Sequence, residues 1–233
     1  MQSVVHVPSV EAEDKRHLHR ELSTLTKDQT RRTNRTKGLL VGADFLDKLD
    51  ELRLWDGAPL PAGLRARLER EYAGWQFIGQ EINALKAEKA ELIRSSSDPD
   101  VEKVRQLLKL KGSGPVSAWL FVFEFFAWRD FNRRQIGGLV GLAPTPYQSS
   151  EESREQGISK AGNRPVRGIV IDIAWGWLRH QPDSELSVWF RGRFDHSKRM
   201  RTIGIVALAR KLLIALWRYL EFGETPAGAQ LKA

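Results

Sequence analysis

Cysteine is missing from all 233 residues of the chain, and this absence excludes disulfide bonds and thiolate metal sites. A chain of this kind is typical of a reducing, intracellular compartment. Histidine is scarce and unpatterned: His17 and His19 are two residues apart, on different faces of a helix, and the other three stand alone. We therefore predict no metal site, and no other cofactor, within this chain.

Long apolar runs are missing as well. The opening residues, MQSVVHVPSVEAEDKRH, have neither the basic start nor the apolar stretch of a secretion signal. The most apolar segment, TIGIVALARKLLIALWRYL, is interrupted by basic residues and falls short of the roughly 20 apolar residues that span a bilayer. We predict a cytoplasmic protein without a membrane partner.

Strand signals are weak throughout, and the periodicity predicts a mainly α fold. Residues 11–40 indicate a polar helix with a thin apolar stripe. Asn132 followed by Gln135 has the pattern of a capping box, and Pro165 suits the first turn of a helix. Further helices are predicted at about 64–94, 102–110, 116–127, 132–140, 164–180, 184–193 and 202–222.

Residues 64–94 carry a short heptad pattern. Apolar residues recur there at alternating spacings of three and four, and only Lys89, a charged residue at one of these positions, interrupts the pattern. Such a pattern is typical of a coiled coil, either antiparallel or formed between chains. We predict a homo-oligomer that associates through this segment, whose pattern residues are Trp75, Ile78, Ile82, Leu85 and Leu92.

The stretch SSSDPD before residue 101 cannot continue a helix, because it combines three serines with Pro99. Beyond it appear long apolar runs and most of the tryptophans, so the later part holds the core. We predict a basic helical and coiled-coil region at 1–100, a compact α-helical domain at 101–224 and a disordered tail at 225–233.

Positive charge is in excess, with a net charge of +8, and it is clustered. Residues 15–37 hold eight basic and two acidic side chains, and residues 191–218 hold eight basic and one acidic. Such clusters attract polyanions, of which nucleic acid is the commonest inside a cell. A pair of solvated helix faces is the alternative interpretation.

The segment LLKLKGSGPVSAWLF predicts two short helices joined by a tight hairpin. Gly112 and Gly114 lack Cβ atoms, so a phosphate can approach the amides that start the second helix. The segment resembles the helix-hairpin-helix element, which grips the DNA backbone without reading sequence, although Ser113 replaces an apolar residue. We predict DNA contacts at Lys111, Gly112 and Gly114, with an ordinary helix–helix turn as the alternative.

A polar segment, PYQSSEESREQGISKAGNRPVRG, lies between apolar helical stretches. If the next helix begins by Gly162, then Lys160, Arg164 and Arg167 fall on one side of its start, where the helix dipole is positive. This pattern predicts a phosphate site. A serine beside it can attack phosphorus if other groups take its proton and neutralise the developing charge. A serine-rich loop without chemistry is the alternative.

From residue 112 to about 224 the order of motifs resembles the C-terminal domain of a family of bacterial insertion-sequence transposases. This family is RNA-guided, and its N-terminal domain is RuvC-like with a D-E-D-D acidic tetrad. The segment VVHVPSVEAEDKRHLHRELSTLTKDQTRRTNRTKGLL is similar to the family's connection between its two catalytic domains. The matching pieces are GSGPVSA, IGGLVGLAPTPYQSS, REQGISKAGNRPVRG, AWGWLRHQP, SVWFRGRF and RTIGIVALARKLLIALWRYLEFGETP.

This resemblance implies a DNA recombinase with a serine nucleophile, which by position is Ser149; the next residue is Ser150 where the family usually has glycine. It also implies DNA as substrate, a guide RNA as partner, association with the nucleoid, and Mg²⁺ held by the tetrad. Since the chain starts where the RuvC-like domain should already have ended, we expect the magnesium ligands to lie outside this chain. The chain alone is then expected to bind DNA without cleaving it.

Two other hypotheses stay open. The chain could be a truncated remnant that binds nucleic acid and dimerises without chemistry, which the missing acidic residues favour. It could also be an architectural DNA-binding protein, which explains the charge but not the polar loop.

Overall fold

The computed structural model of the chain describes residues 9–39, 51–54, 56–127, 132–148 and 153–232. Most of these residues are helical, which confirms the predicted mainly α fold. A two-stranded antiparallel ribbon, β1 (Pro144–Gln148) and β2 (Ser153–Ile158), lies between α5 and α6. The helices are α1 (Val10–Leu39), α2 (Ala62–Ser95), α3 (Pro99–Leu108), α4 (Pro115–Phe121) with a following π-helix (Val122–Phe126), α5 (Arg133–Leu139), α6 (Arg164–His180), α7 (Glu185–Phe194) and α8 (Lys198–Phe222).

Local capping decides where many of these helices begin. The Asn132 side chain accepts hydrogen bonds from the N–H groups of Arg134 and Gln135, and Gln135 Oε1 accepts from the Asn132 N–H at 3.3 Å. This confirms the predicted capping box. Helices α6, α7 and α8 likewise begin after residues whose side chains accept from first-turn N–H groups, namely Asn163, Ser184 and Ser197.

The chain divides into two compact units, His17–Ser95 and Met1–Arg16 with Ser96–Ala233. The division falls at Ser96, and the beginning of α1 belongs to the later unit. The buried Trp119 explains this assignment, because its indole N–H donates to the Lys15 carbonyl at 3.1 Å. A buried indole needs such an acceptor, and the sequence pattern did not indicate one so far away in the chain.

The unit His17–Ser95 is an antiparallel helix pair. Arg35 of α1 pairs with Glu71 of α2 at 3.2 Å, while Gln29 lies beside Gly79. Its apolar core consists of Leu22, Ile78 and Ile82, against which Leu25 and Leu85 pack. Residues of the heptad pattern therefore contact α1 of the same chain, and association between chains stays a prediction.

The other unit has a large aromatic and aliphatic core, to which α8 contributes along most of its length. Helices α3, α5, α6 and α7 all contact α8. Within the described residues, no helix is long and apolar enough to cross a membrane. The largest fully buried side chains of this unit include Trp119, Trp177, Phe121, Phe123 and Phe190.

The structure differs from the sequence predictions at two places in this unit. The predicted loop before α6 contains the β1–β2 ribbon, because backbone pairing between its two sides needs no strong strand pattern. The predicted disorder of the tail is wrong for residues 225–232: Leu231 pairs with Leu110, and the Glu185 N–H donates to the Ala227 carbonyl at 3.1 Å. Long-range hydrogen bonds order this polar tail.

Candidate nucleic-acid interface

The β1–β2 ribbon connects the two sides of the predicted phosphate loop. Its register pairs Gln148 with Ser153 and Tyr147 with Arg154, and it is irregular between Pro144 and Pro146. The four-residue connection at 149–152, which includes the predicted nucleophile Ser149 and its neighbour Ser150, lies outside the described residues. The structure therefore describes the strands that lead to and from this serine.

The ribbon base, residues 139–143 and 158–163, is held together by backbone contacts. The N–H groups of Ser159 and Asn163 donate to the carbonyls of Ala143 and Leu139, both at 3.0 Å. Gly141 and Gly162 have φ angles of +72° and +90°. A Cβ at Gly162 would lie 2.1 Å from the Leu139 oxygen, and one at Gly141 would lie 1.9 Å from a backbone oxygen. Glycine is thus required twice, which sequence reasoning missed because each glycine is ordinary in its local context.

Arg167, predicted as a phosphate ligand, closes the ribbon base. Its Nη1 donates to the Lys160 carbonyl at 2.8 Å and to the Val140 carbonyl at 3.2 Å. Lys160 itself has a φ of +55°, an unusual backbone conformation for a residue other than glycine. The arginine thus supports the strained turn from which Lys160 extends, and its role toward phosphate stays a prediction.

Arg164 is the first residue of α6, and both Arg164 and Lys160 are exposed. Asn163 caps the helix: its side-chain oxygen accepts from the Val166 N–H at 3.0 Å, while its Nδ2 donates to the Glu124 carbonyl at 3.3 Å. The helix start is therefore anchored to the π-helix, and it presents two cations at its positive end. An anion is stabilised at such a place by charge and by the helix dipole together.

A buried ion pair lies beneath this anchor. Glu124 is buried on the π-helix, and its carboxylate accepts from Arg16 Nη2 of α1 at 3.2 Å. A second carboxylate, that of Glu13, accepts from Arg16 Nη1 at 2.6 Å. Glu124 is thus a buried residue whose carboxylate is bound by an arginine. Within the described residues, no group of three or more metal-ligating side chains occurs.

The glycine hairpin uses its amides inside the protein. The Ser113 N–H donates to the Leu110 carbonyl at 3.2 Å, and the Gly114 N–H donates to Ser117 Oγ at 3.2 Å. Gly112, with a φ of +86°, lies against α6, where an added Cβ would be 3.3 Å from the His180 Cβ. Gly112 thus lets the hairpin approach α6 closely, as in an ordinary helix–helix turn.

The C-terminal tail occupies the same hairpin. The Lys111 N–H donates to the Gln230 carbonyl at 3.2 Å, and Lys111 Nζ donates to Gln230 Oε1 at 2.8 Å. Lys232 Nζ donates to the Ser113 carbonyl at 2.7 Å. The buried Gln181 joins both segments, since its Nε2 donates to the carbonyls of Lys111 and Gln230. DNA contacts at Lys111, Gly112 and Gly114 would compete with these bonds, and they stay a prediction.

Comparison with known proteins gives a consistent family. Residues 104–188 match the model of the family described as Transposase IS116/IS110/IS902. A Sinorhizobium fredii protein named as a transposase, y4rJ, is 39% identical over an alignment that covers 99% of this chain and 63% of the relative. A Pseudomonas aeruginosa protein named as a family 20 transposase is 28% identical, with 93% of this chain and 66% of the relative covered.

The transposase for insertion sequence element IS1111A of Coxiella burnetii is 25% identical, with coverages of 93% and 61%. The chain thus spans less than two thirds of the length of these three relatives. The range 104–188 includes the glycine hairpin, the ribbon base and all of α6. The match of this domain and the similarity along nearly the whole chain together support an insertion-sequence transposase similar to the IS116/IS110/IS902 family.

Proposed function

We propose that this protein acts in DNA transposition, cutting and rejoining DNA strands through a covalent link to Ser149. The observation that carries the proposal is the ribbon base with the start of α6. Strand β1 leads directly to Ser149, and β2 leads back to the exposed Lys160 and Arg164 at a capped, positive helix end. The order of a nucleophile and a phosphate site along one ribbon supports phosphoryl transfer.

The proposed step is a transesterification. The Ser149 hydroxyl attacks a DNA phosphorus; the Oγ–P bond forms, the bond to a deoxyribose oxygen breaks, and that oxygen takes up one proton as the serine loses one. Attack by the hydroxyl of another strand end reverses the step and frees the serine. Lys160 and Arg164 bind the non-bridging oxygens, and Arg167 holds the backbone between them.

The resemblance also implies Mg²⁺ and a guide RNA. The described residues do not fit a magnesium site, because they form no group of three or more metal-ligating side chains and the Glu124 carboxylate is bound by Arg16. No step is therefore assigned to a metal on this part of the chain. A guide RNA, like DNA, fits the net charge of +8.

A nucleic-acid-binding remnant without chemistry is the second candidate. It is supported by the same observation on the acidic residues, and it predicts binding without any covalent product.

A covalent-adduct assay distinguishes the two candidates. The chain is fused to the portion of the Sinorhizobium fredii relative that it does not match, and is incubated with nicked DNA and Mg²⁺. We expect a protein–DNA adduct that survives denaturing electrophoresis. Ser149→Ala should abolish the adduct while DNA binding persists, and the unfused chain should bind DNA without forming an adduct.

Ser150→Ala is the matched control, since it removes a neighbouring hydroxyl. An adduct that persists in Ser149→Ala but is lost in Ser150→Ala would move the nucleophile by one residue. An adduct that persists in both variants would exclude the serine mechanism. Binding without an adduct in the fused wild type would favour the remnant.

A further inference from the structure

The exposed face of α6 continues from the phosphate site toward an aromatic side chain. Arg164 and Trp175 are eleven residues apart, which is about three helical turns, so they lie on the same face about 16 Å apart. Between them lies Gly168, where an added Cβ would meet open space. One turn beyond Trp175, Arg179 is also exposed.

Trp175 has the features of a stacking platform. Its side chain is 39% exposed although tryptophan is usually well buried, and its ring lies at 75° to that of the buried Phe190, with the two centroids 6.5 Å apart. The guanidinium of Arg201 from α8 lies over the ring, 5.9 Å from its centroid. Arg201 is itself paired with Asp195 at 3.1 Å, which fixes the position of its charge.

We propose that the face of α6 from Arg164 to Trp175 binds single-stranded DNA, with one unpaired base stacked on Trp175. This inference rests on the proposed function, because it takes the strand bound at Lys160 and Arg164 and extends it along α6. Paired bases cannot stack on a half-buried ring, whereas an unpaired base presents its whole face to it. Arg179, one turn beyond the ring, supplies the cation for a phosphate beside that base, since Arg201 is paired with Asp195 and lies over one face of the indole.

Gly168 has a specific place in this arrangement. Glycine weakens a helix interior, yet nothing within 4 Å of its missing Cβ requires a glycine for folding. Its bare backbone keeps the middle of the face open for a strand. Asp172 is the acidic residue of α6 beside this face, and its exposed negative charge repels the phosphates of DNA.

The test measures binding of a fluorescent thymidine strand of about 12 nucleotides by anisotropy, together with thermal melting of each variant. Gly168→Gln should raise or preserve the melting temperature, because glycine is the poorer helix former, but should weaken strand binding several-fold. Gly192→Gln on α7, another exposed helix glycine with open space around it, is the matched control and should leave binding unchanged.

The stacking step is tested separately. Trp175→Ala should weaken binding about tenfold, Trp175→Phe should keep most of it, and Asp172→Asn should strengthen it. Wild-type affinity in both Gly168→Gln and Trp175→Ala would overturn the proposal but leave the proposed function standing. Binding of the wild type to duplex DNA but not to single strands would also overturn the proposal and leave the proposed function standing. Binding to neither would overturn both, and a clear preference for RNA of equivalent sequence would overturn the assignment to DNA.

Discussion

Two glycines of the ribbon base illustrate the scale of single residues. Gly162→Ala combines a positive φ with a Cβ only 2.1 Å from the Leu139 oxygen, so the backbone of the ribbon base has to move. We expect a loss of unfolding free energy of about 3 kcal/mol or more, measured by urea denaturation.

Gly157→Ala is the matched control for Gly162→Ala. Gly157 has a similar φ of +82°, but its missing Cβ has nothing within 4 Å. Only the backbone penalty then applies, and we expect a loss of about 1–2 kcal/mol. Equal losses at the two glycines would show that the close approach at the ribbon base has no energetic weight.

Lys89 is a residue whose pKa is changed by burial. Burial on α2 lowers the pKa of its ammonium group from 10.5 to about 8. Between these two pH values the unfolded chain binds the proton and the folded chain does not, so unfolding free energy should rise with pH in this window. The rise from one such group is at most about 3 kcal/mol, and below the window the full penalty of burying the charge remains.

Lys89→Met removes the titrating group but keeps a long side chain. We expect this variant to be more stable than the wild type at neutral pH, with a difference that shrinks as the pH rises from about 8 to 10.5. Chemical denaturation of both proteins across this range measures it. A difference that does not change with pH would contradict the lowered pKa.

At the scale of elements, α2 has one face inside its unit and another in solvent. Ile82 is buried in the core with α1, whereas Phe77 is 62% exposed. If chains associate through residues 64–94, the exposed face has to form the contact. We expect light scattering to give a mass above the monomer, and Phe77→Asp to lower that mass at an unchanged melting temperature.

Ile82→Asp is the comparison for Phe77→Asp, because it places a charge in the core of the helix pair. It should lower the melting temperature whatever the oligomeric state. A monomeric wild type would limit the heptad pattern to contacts within one chain.

The C-terminal tail covers the glycine hairpin and so affects what the hairpin can bind. A glycine-rich turn between short helices is compatible with DNA binding and with close helix approach, and the choice depends on what covers its amides. Here Gln230 and Gln181 cover the hairpin around Lys111. Both glutamines are far from the hairpin in the chain, so the hairpin motif alone did not indicate them.

At the scale of the whole molecule, the net charge of +8 predicts salt-dependent binding to nucleic acid. The logarithm of the affinity for duplex DNA should fall linearly with the logarithm of salt concentration, by about 0.9 for each phosphate neutralised. Arg164→Ala should weaken binding and reduce this slope by about one contact. Anisotropy titrations at several salt concentrations measure both quantities.

Arg94→Ala is the matched control for Arg164→Ala. Its guanidinium is paired with Glu91 on the surface of α2, and its removal should leave the slope unchanged. An affinity that is constant between low and moderate salt would contradict electrostatic binding altogether.

The sequence by itself determined the features that arise within a few residues of chain. The mainly α fold, the capping box of Asn132 and Gln135, and the start of α6 at Arg164 follow from periodicity and capping, which act over one or two helical turns. The similarity to insertion-sequence transposases likewise follows from motifs that are continuous in sequence.

Only the tertiary structure decided how distant segments use the same groups. It joins Gly141 to Gly162, assigns Arg167 to backbone carbonyls, and pairs Glu124 with Arg16 across more than a hundred residues. Such contacts have no local signature, because a polar or glycine residue acquires its role from the partner that folding brings beside it. For this reason the sequence predicted a phosphate-binding loop, but not that one of its arginines holds the loop together.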